Sequence, residues 1–411
     1  MNENINLPLA TGHKTNKKMK RIFALTALLT AVIGSAMGQT KIRTAEELMA
    51  IGTDKEALSG SYILMNDLTL DGWMPIGRMD KDGETGFSGT FDGNGRTITL
   101  NSFYPETDNR SVGLFGVVDG KGEIKNLRVA GKPTYTDGQK FLYIGCIAGV
   151  NKGKITCCVS TAELTCEYAQ TEPHKKVKAL SGYEGGQYGG CIAGVNNGEI
   201  RHCYSNGSIR VALGSAAGIA CGNGLLVTGR LSIGIGSGGM SMGATPGSSK
   251  GKYGFIEYCY SEASVFSSGN AGGIVVITHG TCIMNNCAAL NRLIEVRGAG
   301  KPLPKASPFP GGLFGKTMFS HAKTQFYYLE NMSLRRYDGN DVEQPPVKLT
   351  PKRAVPLSTI QKESWWRLPD GADRNMKQKM IAFPFGSDET APWKWDEQRK
   401  RPVLHWEATN R

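Results

Sequence analysis

Short apolar runs, each broken by glycine and asparagine, recur along most of this chain. The fullest unit is Tyr188-Gly-Gly-Cys-Ile-Ala-Gly-Val-Asn-Asn-Gly-Glu-Ile-Arg-His-Cys-Tyr-Ser-Asn-Gly207. Upstream, Tyr143-Ile-Gly-Cys-Ile-Ala-Gly-Val-Asn-Lys-Gly-Lys-Ile-Thr-Cys-Cys-Val-Ser160 matches it in phase, Gly145 on Gly190 through Cys158 on Cys203. Looser copies lie around Val112–Leu127, Gly218–Cys259, Gly272–Cys287 and Gly311–Met332. Runs such as Ile192-Ala-Gly-Val are too short for helices, and their glycines break helices. Repetition of this kind marks stacked units that bury a core only together.

Within a unit, Ile155-x-x-Cys158 and Ile200-x-x-Cys203 are apolar at both ends and polar between. This is not strict alternation, so a bend within the run is expected. Asn151-Lys-Gly153 and Asn196-Asn-Gly198 are expected to supply positive φ angles at tight corners. Strand, corner, strand, repeated in register, describes a β-solenoid with equivalent residues about 4.8 Å apart along its axis. Near the start, Thr44-Ala-Glu-Glu-Leu-Met-Ala-Ile51 reads as one short helix. Thr44 and Glu47 form a capping box, and Leu48 and Ile51 share a face. It is expected to cap the first rung, because an open sheet edge invites pairing with another chain.

These units resemble the GLUG-motif family, named for Gly-Leu-x-Gly. Gly113-Leu114-Phe-Gly116 and Gly312-Leu313-Phe-Gly315 match it literally; the runs ending at Gly149 and Gly194 match it loosely. The lead-in (Trp73-Met-Pro-Ile-Gly77, Phe87-Ser-Gly-Thr-Phe-Asp-Gly-Asn-Gly95) and the tail (Pro392-Trp-Lys-Trp395, Arg401-Pro-Val-Leu-His-Trp406) are similar to that family too. The resemblance covers roughly residues 41–407. It implies an all-β, right-handed parallel β-helix, and a place among secreted or surface proteins of bacteria that are called adhesin-like.

Three regions follow. Residues 1–38 read as an over-long start followed by a secretory signal peptide. Met19-Lys-Arg opens the apolar run Ile22–Ile33, and Ala36-Met-Gly38 ends it, with cleavage between Gly38 and Gln39. The run is shorter than the roughly 20 residues that span a bilayer. The residue directly after the cleavage point is Gln39, not a cysteine, so no lipid anchor is expected, and no transmembrane segment is expected further on. Residues 39–357 form the repeat body, with a glycine-rich insert at 223–253. Residues 358–411 form a last coil and a cap rich in tryptophan (Trp365, Trp366, Trp393, Trp395, Trp406), whose rings are expected to plug the solenoid's end. The whole chain carries a formal net charge of +12. Such a balance favours acidic surfaces, but it is too diffuse for nucleic acid.

The chemistry-bearing motifs are weak. Asp92-Gly-Asn-Gly95 reads as a tight turn, because the further oxygen ligands of a calcium loop are missing. Gly234-Ile-Gly-Ser-Gly-Gly239 fits dinucleotide spacing, but no helix follows it. The ten cysteines suggest disulfides in a secreted chain, yet the repeat argues otherwise. Leu127, Cys158, Cys203, Cys259, Cys287 and Met332 take one repeat position, and a site that accepts Leu, Met and Cys is an apolar core site. An inward ladder of mostly free thiols is expected. No metal site, cofactor or catalytic residue is expected. Aspartate is absent from 138 to 337, where a polysaccharide hydrolase would cluster carboxylates.

The sequence therefore predicts a secreted or cell-surface, non-catalytic binding protein of adhesin type that recognises a glycan or a host or matrix protein. A polysaccharide lyase or hydrolase on the same scaffold, and a structural module of a surface assembly, are the alternatives.

Overall fold

The computed structural model describes residues 38–80, 82–104, 109–137, 141–168, 186–224, 234–236, 239–241, 254–278, 282–298, 306–307, 326–338, 340–345, 353–367 and 381–409. The expected signal segment before Gly38 and the motif Gly312-Leu313-Phe-Gly315 lie outside them. So does the glycine-rich insert, apart from Asn223, Gly224 and an antiparallel pairing of Gly234–Gly236 with Gly239–Ser241. Gly38 and Gln39 are exposed, immediately ahead of the strand Thr40–Ile42.

The chain is all-β, with strands that pair mostly in parallel. One pass lays down Glu123–Lys125, Arg128–Asp137, Phe141–Gly145 and Ala148–Asn151. The next begins with Lys154–Thr156, which returns beside Glu123–Lys125 with Ile155 opposite Ile124. Ile200, Ile256 and Met284 continue that column, and Phe91 and Tyr62 extend it the other way. Four mainly parallel sheets of eight, fourteen, six and five strands result. This is a β-helix-like path. Each side chain of the column is buried, and burying one such residue is worth about 1.5–3 kcal/mol.

The bend inside each Ile-x-x-Cys run has a defined cause. Asn126, Cys157, His202, Tyr258 and Asn286, which precede successive ladder positions, all have φ near +50°. The left-handed region costs an ordinary residue about 1–2 kcal/mol. Hydrogen bonds between coils offset it: Cys157 N–H donates to Arg201 O at 3.1 Å, and His202 N–H to Glu257 O at 3.1 Å. The expected positive φ at Asn151–Gly153 and Asn196–Gly198 does not occur. Gly153 and Gly198 are required for another reason. A Cβ on either would lie 2.1 Å from a carbonyl oxygen of the preceding coil, that of Gly122 or Gly153.

The helix Ala45–Ala50 forms as expected with Thr44 as its N-cap, but the return arm of the capping box reaches one residue further back, to Arg43 in place of Thr44. Glu47 N–H donates to Thr44 Oγ1 at 3.2 Å, and Arg43 N–H donates to Glu47 Oε2 at 2.6 Å. Leu48 and Ile51 are buried. The tail departs from expectation. Trp365, Trp366, Trp393 and Trp406 form one apolar cluster with Cys157, Val159, Tyr204, Tyr260 and Ala288. Those partners belong to successive coils, so the tail lies along the side of the fourteen-stranded sheet instead of plugging its end. Trp395 is only partly buried against the cluster.

Candidate binding face

The fourteen-stranded sheet has two lanes, because each pass crosses it as two consecutive strand segments. The first lane holds Val159–Ser160, Tyr204–Ser205, Tyr260–Ser261 and Cys287–Ala289. Its outer side chains are covered by the tail. Tyr204 and Tyr260 stack at 4.8 Å with an interplanar angle of 3°, and Trp393 tilts against both. Ion pairs fasten the edges. Buried Glu407 accepts from Tyr204 Oη at 2.7 Å and from the Arg128 guanidinium, and Arg401 donates to Glu262 at 2.8 Å. Trp393 Nε1–H donates to Nδ1 of His202 at 3.3 Å, while His202 stacks on Tyr258. Burial, with the Arg201 charge nearby, pulls the His202 imidazole down to about 4. A neutral ring is what accepting that bond requires.

Among the described residues, the second lane carries no such cover and is open. It comprises residues 134–137, the later part of the long strand Arg128–Asp137 whose first residues pair in the other lane, with Glu163–Tyr168, Ser208–Val211, Ser264–Ser267, Leu293–Arg297 and Ser333–Tyr337. Leu164, Ile209, Val265 and Ile294 face the core in register and are fully buried. Strand alternation turns Thr165, Arg210, Phe266, Glu295 and Arg335 outward in one column. The Arg210 guanidinium lies 4.2 Å from the centre of the Phe266 ring, and that of Arg297 lies 4.0 Å from Tyr337. Arg297 also bonds Glu295 at 2.7 Å and Asp341 at 3.0 Å. Among the described residues, neither Arg210 nor Arg335 has a carboxylate within ion-pair distance, and both are exposed.

The eight-stranded sheet contrasts with this lane. Its outer column runs Glu123, Lys154, Glu199 in register, and Arg201 bridges Glu199 at 3.4 Å and Glu257 at 3.2 Å. Opposite charges there neutralise one another. Asp92 Oδ1 accepts from Asn94 N–H at 2.8 Å, which makes Asp92-Gly-Asn-Gly95 a hydrogen-bonded turn. No group of three potential ligands that could hold a metal ion occurs among the described residues.

The register brings Leu127, Cys158, Cys203, Cys259 and Cys287 into one buried column. All ten cysteines are free thiols. Burial pushes the Cys146 thiol up to about 12 and holds Cys191 and Cys203 well above the ordinary thiol range. Met332 does not join the column. Cys287 pairs with Phe326, and Met332 precedes the Ser333–Leu293 pair. The reason is local: Met332 N–H bonds Leu329 O at 3.2 Å, so Glu330-Asn331 is a turn between the two lanes, not the left-handed bend ahead of the column. The repeat glycines lie at close approaches. A Cβ on Gly113 would lie 2.6 Å from Gly145 O, on Gly116 2.2 Å from Gly77 O, and on Gly149 and Gly194 2.6 Å from the Val112 and Ile144 nitrogens. Leu114 between them is fully buried.

Sequence reasoning missed a buried asparagine ladder. Asn151 Nδ2 donates to Asn196 Oδ1, and Asn196 Nδ2 to Asn223 Oδ1, each at 2.8 Å. The repeated Val-Asn pairs were its visible trace. The Arg210–Phe266 column was missed because Arg210 and Phe266 lie outside the matched portion of the repeat.

The fold and this face define a class: an all-β protein of stacked parallel sheets with an arginine- and aromatic-bearing outer lane. No family model matches the chain. A crystal structure of a "putative immunoglobulin A1 protease" from Bacteroides ovatus shares the fold, with a TM-score of 0.54, 18% identity, and 91% of this chain and 94% of that one covered. The chain is 38% identical over 84 residues to a "Putative Gly-rich membrane protein" of Evansella cellulosilytica, a match to 20% of this chain and 9% of that protein. It is 29% identical over 153 residues to Halomucin of Haloquadratum walsbyi, 34% of this chain and 2% of that one. The matches thus span small fractions of these two relatives. No helix among the described residues is long and apolar enough to cross a membrane.

Proposed function

We propose that this is a secreted or cell-surface binding protein of adhesin type, built as a right-handed parallel β-helix of the GLUG-motif kind. In this reading residues 1–38 are removed after export, the repeat body runs over 39–357, and the chain recognises a glycan or a host or matrix protein without transforming it. The observation that carries the reading is the open lane of Arg210, Phe266, Arg297, Arg335 and Tyr337 on a stiff stack. Contacts along such a lane add through multivalency. Several carboxylates that a hydrolytic site would use are held in ion pairs instead: Glu199 and Glu257 on Arg201, Glu262 on Arg401, and Glu407 on Arg128. The name of one relative as a membrane protein agrees with a place at the cell exterior.

The test is native electrophoresis of the chain from Gln39 through gels cast with different polysaccharides. Retarded migration without clearing is expected. Cleared zones would overturn the reading in favour of a polysaccharide lyase or hydrolase. Free migration in every gel, together with no capture by matrix proteins, would leave a structural module.

A further inference from the structure

We infer that the open lane binds an anionic polysaccharide, with Arg210 and Arg335 as its principal contacts and the Arg297–Tyr337 stack between and beside them; this rests on the reading of the chain as a binding protein. Three observations carry the inference. First, ring stacking fixes the guanidinium of Arg210 on Phe266 at 4.2 Å and that of Arg297 on Tyr337 at 4.0 Å. The Arg210 guanidinium, held over its ring, keeps its N–H groups for a carboxylate or sulfate, whereas the Arg297 guanidinium already gives Nε to Glu295 and Nη1 to Asp341. Little side-chain freedom is then lost on binding.

Second, the positive charge in this lane is not consumed. Arg210, Arg335 and the neighbouring exposed Arg292 have no carboxylate partner among the described residues. Of the lane's carboxylates, Glu295, with Asp341 beside it, is on Arg297, Glu163 is on Lys132 at 3.2 Å, and Glu167, at the far end from Arg335, accepts from Thr136 Oγ1 at 3.4 Å. On the outer face of the eight-stranded sheet Arg201 is paired with Glu199 of its own strand and with Glu257 of the next. The first lane of the same sheet is sealed by the tail.

Third, the contacts form a file and not a pocket. Arg210, Phe266, Glu295 and Arg335 occupy successive rungs, so Arg210 and Arg335 stand about 14 Å apart along the coil axis at about 4.8 Å per rung. The large exposed apolar side chains of the described residues are Tyr104, Ile283, Val342 and Leu357. None lies on these strands. The lane's own rings, Phe266 and Tyr337, are half-buried under Arg210 and Arg297, so it presents cations in place of the open apolar anchor that a protein partner would bury. A linear polymer with regularly spaced anions needs only a file of fixed cations.

The experiment compares the full chain from Gln39 with R210E/R335E, with the milder R210Q/R335Q, and with Lys154→Glu on the eight-stranded sheet. Gels are cast with polygalacturonate, dextran sulfate, neutral dextran or polyglutamate, at low and at 0.5 M salt. The expected result is retardation by the two anionic polysaccharides, abolished by salt and absent in neutral dextran. Affinity should fall about tenfold or more in R210Q/R335Q, as expected for two charge-assisted bonds near a surface, and further in R210E/R335E. Lys154→Glu should bind as the unaltered protein does. Unchanged retardation of R210E/R335E would overturn the lane while leaving a binding function intact. Retardation by neutral dextran alone would overturn the anionic ligand and leave glycan binding. Equal retention by polyglutamate would shift the partner to an acidic protein. Free migration everywhere would overturn both this inference and glycan binding.

Discussion

Replacing Asn196 by alanine tests whether the polar ladder inside this stack stabilises it. Asn196 is fully buried. Its amide donates to Asn223 Oδ1 at 2.8 Å and to Phe255 O at 3.1 Å, and its oxygen accepts from Asn151 Nδ2 at 2.8 Å and from Gly198 N–H at 3.3 Å. The substitution deletes both ladder bonds, at about 1 kcal/mol each, and leaves Asn223 Oδ1 without its ladder donor, at about 1–3 kcal/mol more. A loss of about 3–5 kcal/mol follows, a large share of the roughly 5–15 kcal/mol available to a folded domain. Asn151 and Asn223 retain bonds to Glu199 O and Gly254 O, which limits the damage to one coil boundary. Urea unfolding followed by tryptophan fluorescence measures the loss. In the double variant Asn151→Ala/Asn196→Ala, the second truncation should cost less than it does alone, because its partner is already gone. A shift under about 1 kcal/mol for Asn196→Ala, with simple additivity in the double variant, would refute the reasoning.

Three further expectations follow from the same structure. Gly153→Ala should cost about 3 kcal/mol through backbone overpacking, whereas Gly72→Ala, with φ +63° but open space around its Cβ position, should cost only about 1 kcal/mol; equal melting shifts would show that coil contact is not what Gly153 serves. His202 titrates near 6.5 when unfolded and near 4 in the fold, so its contribution is complete above pH 6.5 and is lost as pH falls towards 4, by about 3 kcal/mol in all. Urea midpoints at pH 7 and pH 4.5 should therefore differ more for the unaltered protein than for His202→Gln, and an identical difference would count against the buried, neutral imidazole. Iodoacetamide should label half-buried Cys282 first under native conditions, with the nine buried thiols reacting only on unfolding; fewer than ten labelled thiols in denaturant without reductant would mean that some pair.

The repeat was legible because its period is written in residue types. Ile124, Ile155, Ile200 and Ile256 recur at one phase, and Cys158, Cys203, Cys259 and Cys287 at another, and every one points into the core. The helix start was legible for the same reason: its capping bonds are local, so Thr44 and Glu47 carry them without help from the rest of the fold. The bend ahead of the thiol column was not legible. Cys157 and Tyr258 have no intrinsic preference for positive φ, and histidine, though enriched there, still adopts it in only a small minority of cases. They adopt it because the carbonyls of the next coil accept their N–H groups, a condition that exists only once coils stack.

The tail and the open lane depend on contacts still more distant in sequence. Trp393 meets His202 and Tyr204, and Glu407 meets Arg128 and Tyr204. Tryptophan content alone could not distinguish an end plug from a strap along the side. Arg210 on Phe266 and Arg297 on Tyr337 are likewise a product of register, since strands remote in the chain must lie side by side before ring and guanidinium meet. The sequence by itself determined the repeating unit, most of its inward positions and the start of the helix Ala45–Ala50, because these rest on local periodicity and local hydrogen bonds. Only the tertiary structure decided which outer lane is sealed and which stays open, because that depends on where the last coils send the chain.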